Sequence, residues 1–142
     1  MMNQNHLEKI ELELAILIRR ATNLSSHKKL GGLDRSAYLL LRRIANKGAA
    51  GVKVLAEEFM LDISTISRQA GALEQKGYLY RIPDPLDGRS YKLDVTELGT
   101  TVFKEHKQAR LERIAEKIED WPEEEREAFG KLLKKFNESL IV

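Results

Sequence analysis

Ser64, Thr65, Ser67, Arg68 and Gln69 crowd the first two turns of a helix-forming segment and lie off its apolar stripe of Ile63, Ile66, Ala70 and Leu73. Arginine can bond a guanine edge bidentately, glutamine can do the same for adenine, and hydroxyls serve bases or phosphates. These groups therefore suit the reading of a nucleic-acid groove. Serine and threonine near a helix start also act as caps, which accounts for Ser64 and Thr65 equally well. Further on, Asp87, Gly88 and Arg89 sit at the tip of a loop containing Pro83, Pro85 and Gly88. A long cation on a hairpin tip can reach a narrow minor groove, where the potential is most negative. A salt bridge from Asp87 would hold the Arg89 guanidinium in place, although an ordinary type I turn with incidental charges accounts for these residues as well. Arg81 and Lys92 flank the tip and suit phosphate contacts, although solvated strand residues look the same in sequence.

The elements that must position these groups follow from periodicity. VKVLAEEF reads as a short helix with Leu55, Ala56 and Phe59 inward, followed by a turn at Met60, Leu61 and Asp62. Asp62 is expected to cap the second helix, and Gly77 to stop it. Two strand-like runs follow, with Tyr78, Tyr80 and Ile82 alternating on one and Tyr91, Leu93 and Val95 on the other. Two short helices and a basic hairpin make a winged helix-turn-helix. Gly71 inside the second helix costs roughly 1 kcal/mol relative to alanine and is expected to allow close packing against the preceding helix.

Around this unit the chain predicts three further helical regions. The first runs from about Leu7 to His27, with Leu7, Ile10, Leu14, Leu17, Ile18, Ala21 and Leu24 forming one stripe. Leu12 and Ile16 widen that stripe beyond one helical contact, so a second subunit is expected there. Gly31 and Gly32 break the chain, Asp34 caps a helix from Arg35 to about Lys47, and Gly48 to Gly51 end it. Thr96 caps a long helix from Glu97 towards Asp120, anchored by Val102, Phe103, Ile114 and Ile118 and closed by Trp121 and Pro122. A last helix starts near Glu123, with Phe129, Leu132, Leu133, Phe136 and Leu140 on its apolar face.

Composition narrows the function classes. A chain of 142 residues suits one domain with its own core. It has no cysteine, which excludes disulfides, thiolate metal sites and thiol redox switches. His6, His27 and His106 are scattered without ligand spacing, so no metal is expected. There is no nucleophile motif and no phosphate loop, so neither an enzyme nor a cofactor is expected. The N-terminus lacks the features of a signal peptide and no run is long enough to span a membrane, so the expected location is the cytoplasm. The net charge is only +2, but it is unevenly spread. Arg19, Arg20, Lys28, Lys29, Arg35, Arg42, Arg43, Lys47 and Lys53 face only Asp34 in their stretch, whereas acidic residues dominate from Glu116 to Glu127. This is compatible with one face meeting phosphate, although solvated helix faces are the simpler account.

The segments LAEEF, DISTISRQAGALEQKGYLYR and PDPLDGRSYKLDVTELG resemble the multiple-antibiotic-resistance regulator (MarR/SlyA) family. The match is densest from about Leu55 to Gly99, and Asp-Gly-Arg and Thr-Glu-Leu-Gly are its most specific parts. The resemblance implies a mainly α fold with a small β-hairpin wing. A DNA-binding lobe would span about 34–96, with dimerisation helices at about 7–28 and 97–140, all within a single domain. It implies a homodimeric transcription regulator, in the role of a repressor on a pseudo-palindromic operator. Ser64, Thr65, Ser67, Arg68 and Gln69 would be recognition-helix contacts and Arg89 the wing-tip arginine. It also implies release by a small aromatic or phenolic effector, with Leu17, Arg20, Tyr38 and Arg42 as candidate lining, although Leu17 suits a core better and the arginines suit surface charges better. The competing reading is a protein-interaction module without specific DNA binding, since a fold alone does not fix function. The polar outer face of the second helix argues against it.

Overall fold

The computed structural model describes residues 1–27 and 33–140. Its elements are α1 (Gln4–His27), α2 (Arg35–Lys47), β1 (Ala50–Gly51), α3 (Val52–Phe59), α4 (Ile63–Gln75), β2 (Leu79–Pro83), β3 (Tyr91–Val95), α5 (Glu97–Ile118) and α6 (Glu123–Ser139). The mainly helical fold with a small sheet is therefore as expected. Lys28, Lys29, Gly31 and Gly32 lie outside the described residues. Packing divides the chain into two compact units, Met1–His106 and Lys107–Val142. No helix among the described residues is long and apolar enough to cross a membrane.

Local chemistry explains most helix ends. Asn3 accepts from the Asn5 N–H at 2.9 Å, so α1 starts about a turn earlier than the apolar stripe implies. Asp34 caps α2 as expected, its Oδ1 accepting from the Ala37 N–H at 2.8 Å. Gly48, at φ 93°, ends α2 and donates back to Ile44. At the end of α4 the Tyr78 N–H reaches the Leu73 carbonyl and the Gly77 N–H reaches Glu74, a Schellman ending that needs the positive φ of Gly77. Met60 closes α3 by the same pair of bonds, to Ala56 from Leu61 and to Glu57 from Met60 itself. Asp62 differs from expectation, because its carbonyl opens α4 while its side chain makes no capping bond.

The core of the first unit is built from Leu40, Leu41 and Ile44 of α2, Leu55 of α3, Ile66 and Leu73 of α4, and Leu93 of β3. Ile63 was expected on the inward stripe of α4 but is 53% exposed. The sheet has the order β1-β3-β2, all antiparallel. Its two-residue strand β1 pairs Ala50 with Leu93 and Gly51 with Lys92, where the sequence suggested only a helix stop. On β2 the alternation has the opposite phase to the expected one. Leu79 pairs with Val95 and is buried, whereas Tyr80 and Ile82 are 46% and 37% exposed. Directly paired residues share a face, so Leu79, Arg81 and Pro83 lie with Leu93 and Tyr80 and Ile82 lie on the other side.

Gly71 does not mark a close helix contact, since a methyl group there would meet no heavy atom within 4 Å beyond its chain neighbours and the backbone of its own helix. Gly71→Ala should therefore stabilise the protein by about 1 kcal/mol, through helix propensity alone. Urea unfolding checks this, and a lower midpoint would reveal a packing constraint that the backbone does not display.

In the second unit, Arg126 ties the end of α5 to the start of α6. Its Nε donates to the Ile118 carbonyl at 3.0 Å, one Nη to Glu119 at 2.7 Å and the other to the Glu123 carboxylate at 3.0 Å. Trp121 and Phe129 pack with ring centroids 5.5 Å apart. Phe129, Leu132, Leu133, Phe136 and Leu140 are exposed, as is Ile114, which was expected as an anchor.

Candidate nucleic-acid interface

Burial of Ile66, Ala70 and Leu73 fixes which side of α4 faces outward. Ser64, Ser67 and Arg68 are exposed, whereas Thr65 and Gln69 are half-buried beside the stripe. Ser64 and Arg68 stand one turn apart on one row, and Ile63 and Ser67 on the adjacent row. Among the described residues Arg68 has no ion pair.

The wing is the β2–β3 hairpin. Asp84 shapes its entry by accepting from the Leu86 N–H at 2.9 Å, and the Asp84 N–H donates to the Ser90 carbonyl at 3.0 Å. Asp87 does not form the expected salt bridge with Arg89. Its Oδ1 accepts from the Arg89 backbone N–H at 3.0 Å and its Oδ2 from the Ser90 hydroxyl at 3.3 Å. A short carboxylate satisfies nearby turn amides more readily than it reaches the end of an arginine. The Arg89 guanidinium thus has no ion pair among the described residues, and Leu86 of the same loop is 96% exposed.

An open cleft of about 690 Å³ lies between α4 and the wing. Its walls include Lys53 and Val54 of α3, Ile63 and Ser67 of α4, and Ile82, Arg89, Tyr91 and Lys92 of the hairpin. Lys53, Arg89 and Lys92 outnumber the lone lining carboxylate, Asp84. The α3 N-terminus adds its own partial positive charge near Lys53. Such a cleft suits a polyanionic strand with an apolar sugar edge. Lys53 was legible only as one of many cations, and the Ile63 and Ile82 lining was not foreseen.

Of the described members of the basic run from residue 19 to 53, Lys53 alone lines this cleft. Arg43 bonds Glu58 at 2.6 and 3.1 Å and the Gly48 carbonyl at 3.1 Å, bracing α2 against α3. Arg42 donates to the Tyr38 hydroxyl at 2.9 Å, and Tyr38 is buried with its ring 6.0 Å from Phe103. Leu17 and Arg20 are exposed on α1, so Leu17 is not a core residue of the single chain. Neither the cleft nor a shallow pocket along α6 is lined by these four candidates for an effector site. Arg81 bonds Glu74 of α4 at 2.9 Å and lies over the Tyr91 ring at 4.2 Å. No group of three His, Cys, Asp or Glu residues placed to hold a metal occurs among the described residues.

The hydrogen bond from Arg43 holds the Glu58 carboxyl below its ordinary value of 4.5, partly offset by desolvation. A depressed folded-state value contributes stability above the unfolded value, and that contribution is lost as pH falls through the folded one. Glu58→Gln should therefore make the loss of stability on acidification below about pH 4.5 shallower. Urea midpoints for both proteins from pH 7 to pH 3 test this; parallel curves would mean the pair is not linked to folding.

The MarR family model matches residues 33–91, from just before α2 into the start of β3. The chain is 50% identical over 142 residues to YxaD of Bacillus subtilis (strain 168), described as an uncharacterized HTH-type transcriptional regulator, with 99% of each chain covered. Its fold matches a MarR family protein from Bacillus stearothermophilus with TM-score 0.76 at 20% identity, over 100% of both chains. It also matches Streptococcus pneumoniae FabT, solved in complex with DNA, with TM-score 0.69 at 20% identity over 97% of both. The last two show the fold, while the extent and identity of the first fix the family. With a winged helix-turn-helix that turns Ser64, Ser67 and Arg68 of α4 outward, the chain belongs to the MarR family.

Proposed function

We propose that this chain is a homodimeric, sequence-specific DNA-binding transcriptional regulator of the repressor type. One observation carries the reading: Arg68 and Arg89, both without ion pairs among the described residues, stand on the two elements that border a cation-lined cleft. In this reading α4 enters the major groove with its N-terminal turns leading. Ser64, Ser67 and Arg68 face the bases, with Thr65 and Gln69 at the flank. Ile63 meets a sugar or a thymine methyl. Arg89 reaches the minor groove, Lys53 and Lys92 meet phosphates, and Asp87 keeps the wing in shape. The FabT complex with DNA supports use of this fold on a duplex.

The exposed apolar residues Leu7, Ile10, Leu12, Leu17 and Ile18 of α1 and those of α6 support dimerisation, since a monomer in water gains nothing by exposing them. A two-fold dimer would read half-sites whose centres lie roughly 10 bp apart. A small aromatic or phenolic molecule near Leu17, Arg20, Tyr38 and Arg42 would then relieve repression.

Fluorescence anisotropy against DNA from the protein's own upstream region, with a scrambled duplex as control and at two salt concentrations, tests the reading. Tight, salt-sensitive binding that prefers the native duplex is expected. Equal binding to both, with a selection from random duplexes recovering no preferred sequence, would overturn it. The exposed Met60, Leu61 and Ile63 would then mark a surface for a protein partner.

A further inference from the structure

Arg81 is the one cation of the wing whose side chain is already engaged at both of its recognition surfaces. It sits in the middle of β2, paired with Leu93, on the core side of the hairpin. Its Nε donates to Glu74 Oε2 at 2.9 Å, and Glu74 belongs to the last turns of α4. Its guanidinium lies over the Tyr91 ring of β3, with 4.2 Å from Cζ to the centroid. One side chain thereby joins the recognition helix to both strands of the wing. Arginine can do this because its planar fork hydrogen-bonds in its plane and stacks through its face; lysine has no such geometry. Glu74 is 22% exposed and Arg81 53% exposed, so the bond is partly sheltered from water.

We infer that Arg81, Glu74 and Tyr91 form a strut that sets the position of the wing relative to the recognition helix, making Arg81 a positioning residue rather than a phosphate contact. The inference rests on the DNA-binding reading above. A protein that reads DNA with two elements must hold both at once, and any freedom of the wing is lost on binding. A strut that restricts the hairpin before binding removes part of that cost. The strut lies several residues from the tip at Asp87 to Arg89, so loosening it frees the part of the wing that carries Arg89.

The two roles for Arg81 predict opposite signs for one substitution. Glu74→Gln removes a negative charge from a DNA-binding surface, so electrostatics alone would tighten binding. If Arg81 met phosphate, freeing it from Glu74 would tighten binding further. Loss of the strut weakens binding instead, by roughly threefold to tenfold. Arg81→Met, which keeps the apolar stem, should weaken binding by a similar factor without flattening the salt dependence. The double variant should lose no more than Arg81→Met alone, because that change already removes the bond that Glu74→Gln weakens. Arg81→Lys should not restore affinity.

The experiment is an anisotropy titration of the full-length protein and these variants over a series of salt concentrations. It is paired with amide hydrogen exchange of residues 84–90 in the absence of DNA. Weaker binding in Glu74→Gln with faster exchange in the wing supports the strut. Tighter or unchanged binding in Glu74→Gln, or a salt slope flattened by about one per Arg81 replaced, overturns it in favour of a phosphate contact. If the wild type prefers no duplex, the regulator reading fails. The exchange rates then decide the strut alone: faster exchange in both variants supports it, and unchanged exchange overturns it.

Discussion

Gly99→Ala should destabilise the protein by about 3 kcal/mol or more, at the upper end of what overpacking costs. Gly99 is buried at the third position of α5, where the helix leaves the sheet. A methyl group there would run into the Tyr78 carbonyl oxygen and come within 2.8 Å of the Val95 side chain. The carbonyl cannot step aside, because it accepts from the Thr96 N–H at 3.0 Å. Thr96 is held in turn, its hydroxyl donating to the Gly77 carbonyl at 2.6 Å and accepting from the Gly99 N–H at 2.9 Å. The end of α4, the base of the wing and the start of α5 thus share one hydrogen-bonded junction that only a glycine fits. Chains of this size have about 5–15 kcal/mol of total stability, so the loss should be plain in a urea midpoint. Gly71→Ala is the matched control: the same change in an open site, with the opposite sign expected. A Gly99→Ala variant as stable as the wild type would mean that α5 can shift away from Tyr78 at little cost.

That junction also explains why Thr-Glu-Leu-Gly is so recognisable in sequence: threonine caps and glycine permits the approach. Several features set by local chemistry were legible in this way, although the Asp62 side-chain cap and the Asp87–Arg89 salt bridge were not formed. Asp34 capping α2, Gly48 ending it and the Gly77 stop all depend on residues within a few positions of one another. The polar set on α4 was legible for the same reason, and its division into exposed and half-buried members follows from the phase of Ile66, Ala70 and Leu73. Features set by distant pairing were not. Ala50 and Gly51 have no strand character of their own and become β1 only because β3 offers Leu93 and Lys92. The phase of β2 is decided by Leu79 meeting Val95, and the apolar run of Tyr80 and Ile82 points the other way. Arg43 and Glu58 are 15 positions apart, and Arg43 stood in the sequence only as one of a run of cations. The cleft was invisible because its walls come from three separate stretches of chain.

Arg68→Ala and Arg89→Ala should both weaken operator binding, and they should do so differently. Neither arginine has an ion pair to lose among the described residues, so both variants should fold as the wild type does and their effects should reside in binding. Arg68 stands in the second turn of α4 on the same row as Ser64, where a guanidinium can meet a base edge in the major groove. Its removal should cost about 1–3 kcal/mol per half-site on the preferred duplex and much less on a scrambled one, so discrimination collapses. Arg89 is carried by a turn that Asp87 braces through the backbone, so its charge is available and its position is fixed. Its removal should weaken binding to both duplexes. If its main contact is phosphate, the slope of log affinity against log salt should also become shallower by about one per arginine, hence about two per dimer. Titrations of the three proteins on both duplexes across a salt series separate these outcomes. An Arg68→Ala protein that still discriminates as the wild type does would remove the base-reading role from α4's second turn. An Arg89→Ala protein with unchanged affinity and slope would remove the wing from the interface, leaving the cations of the cleft to act without it.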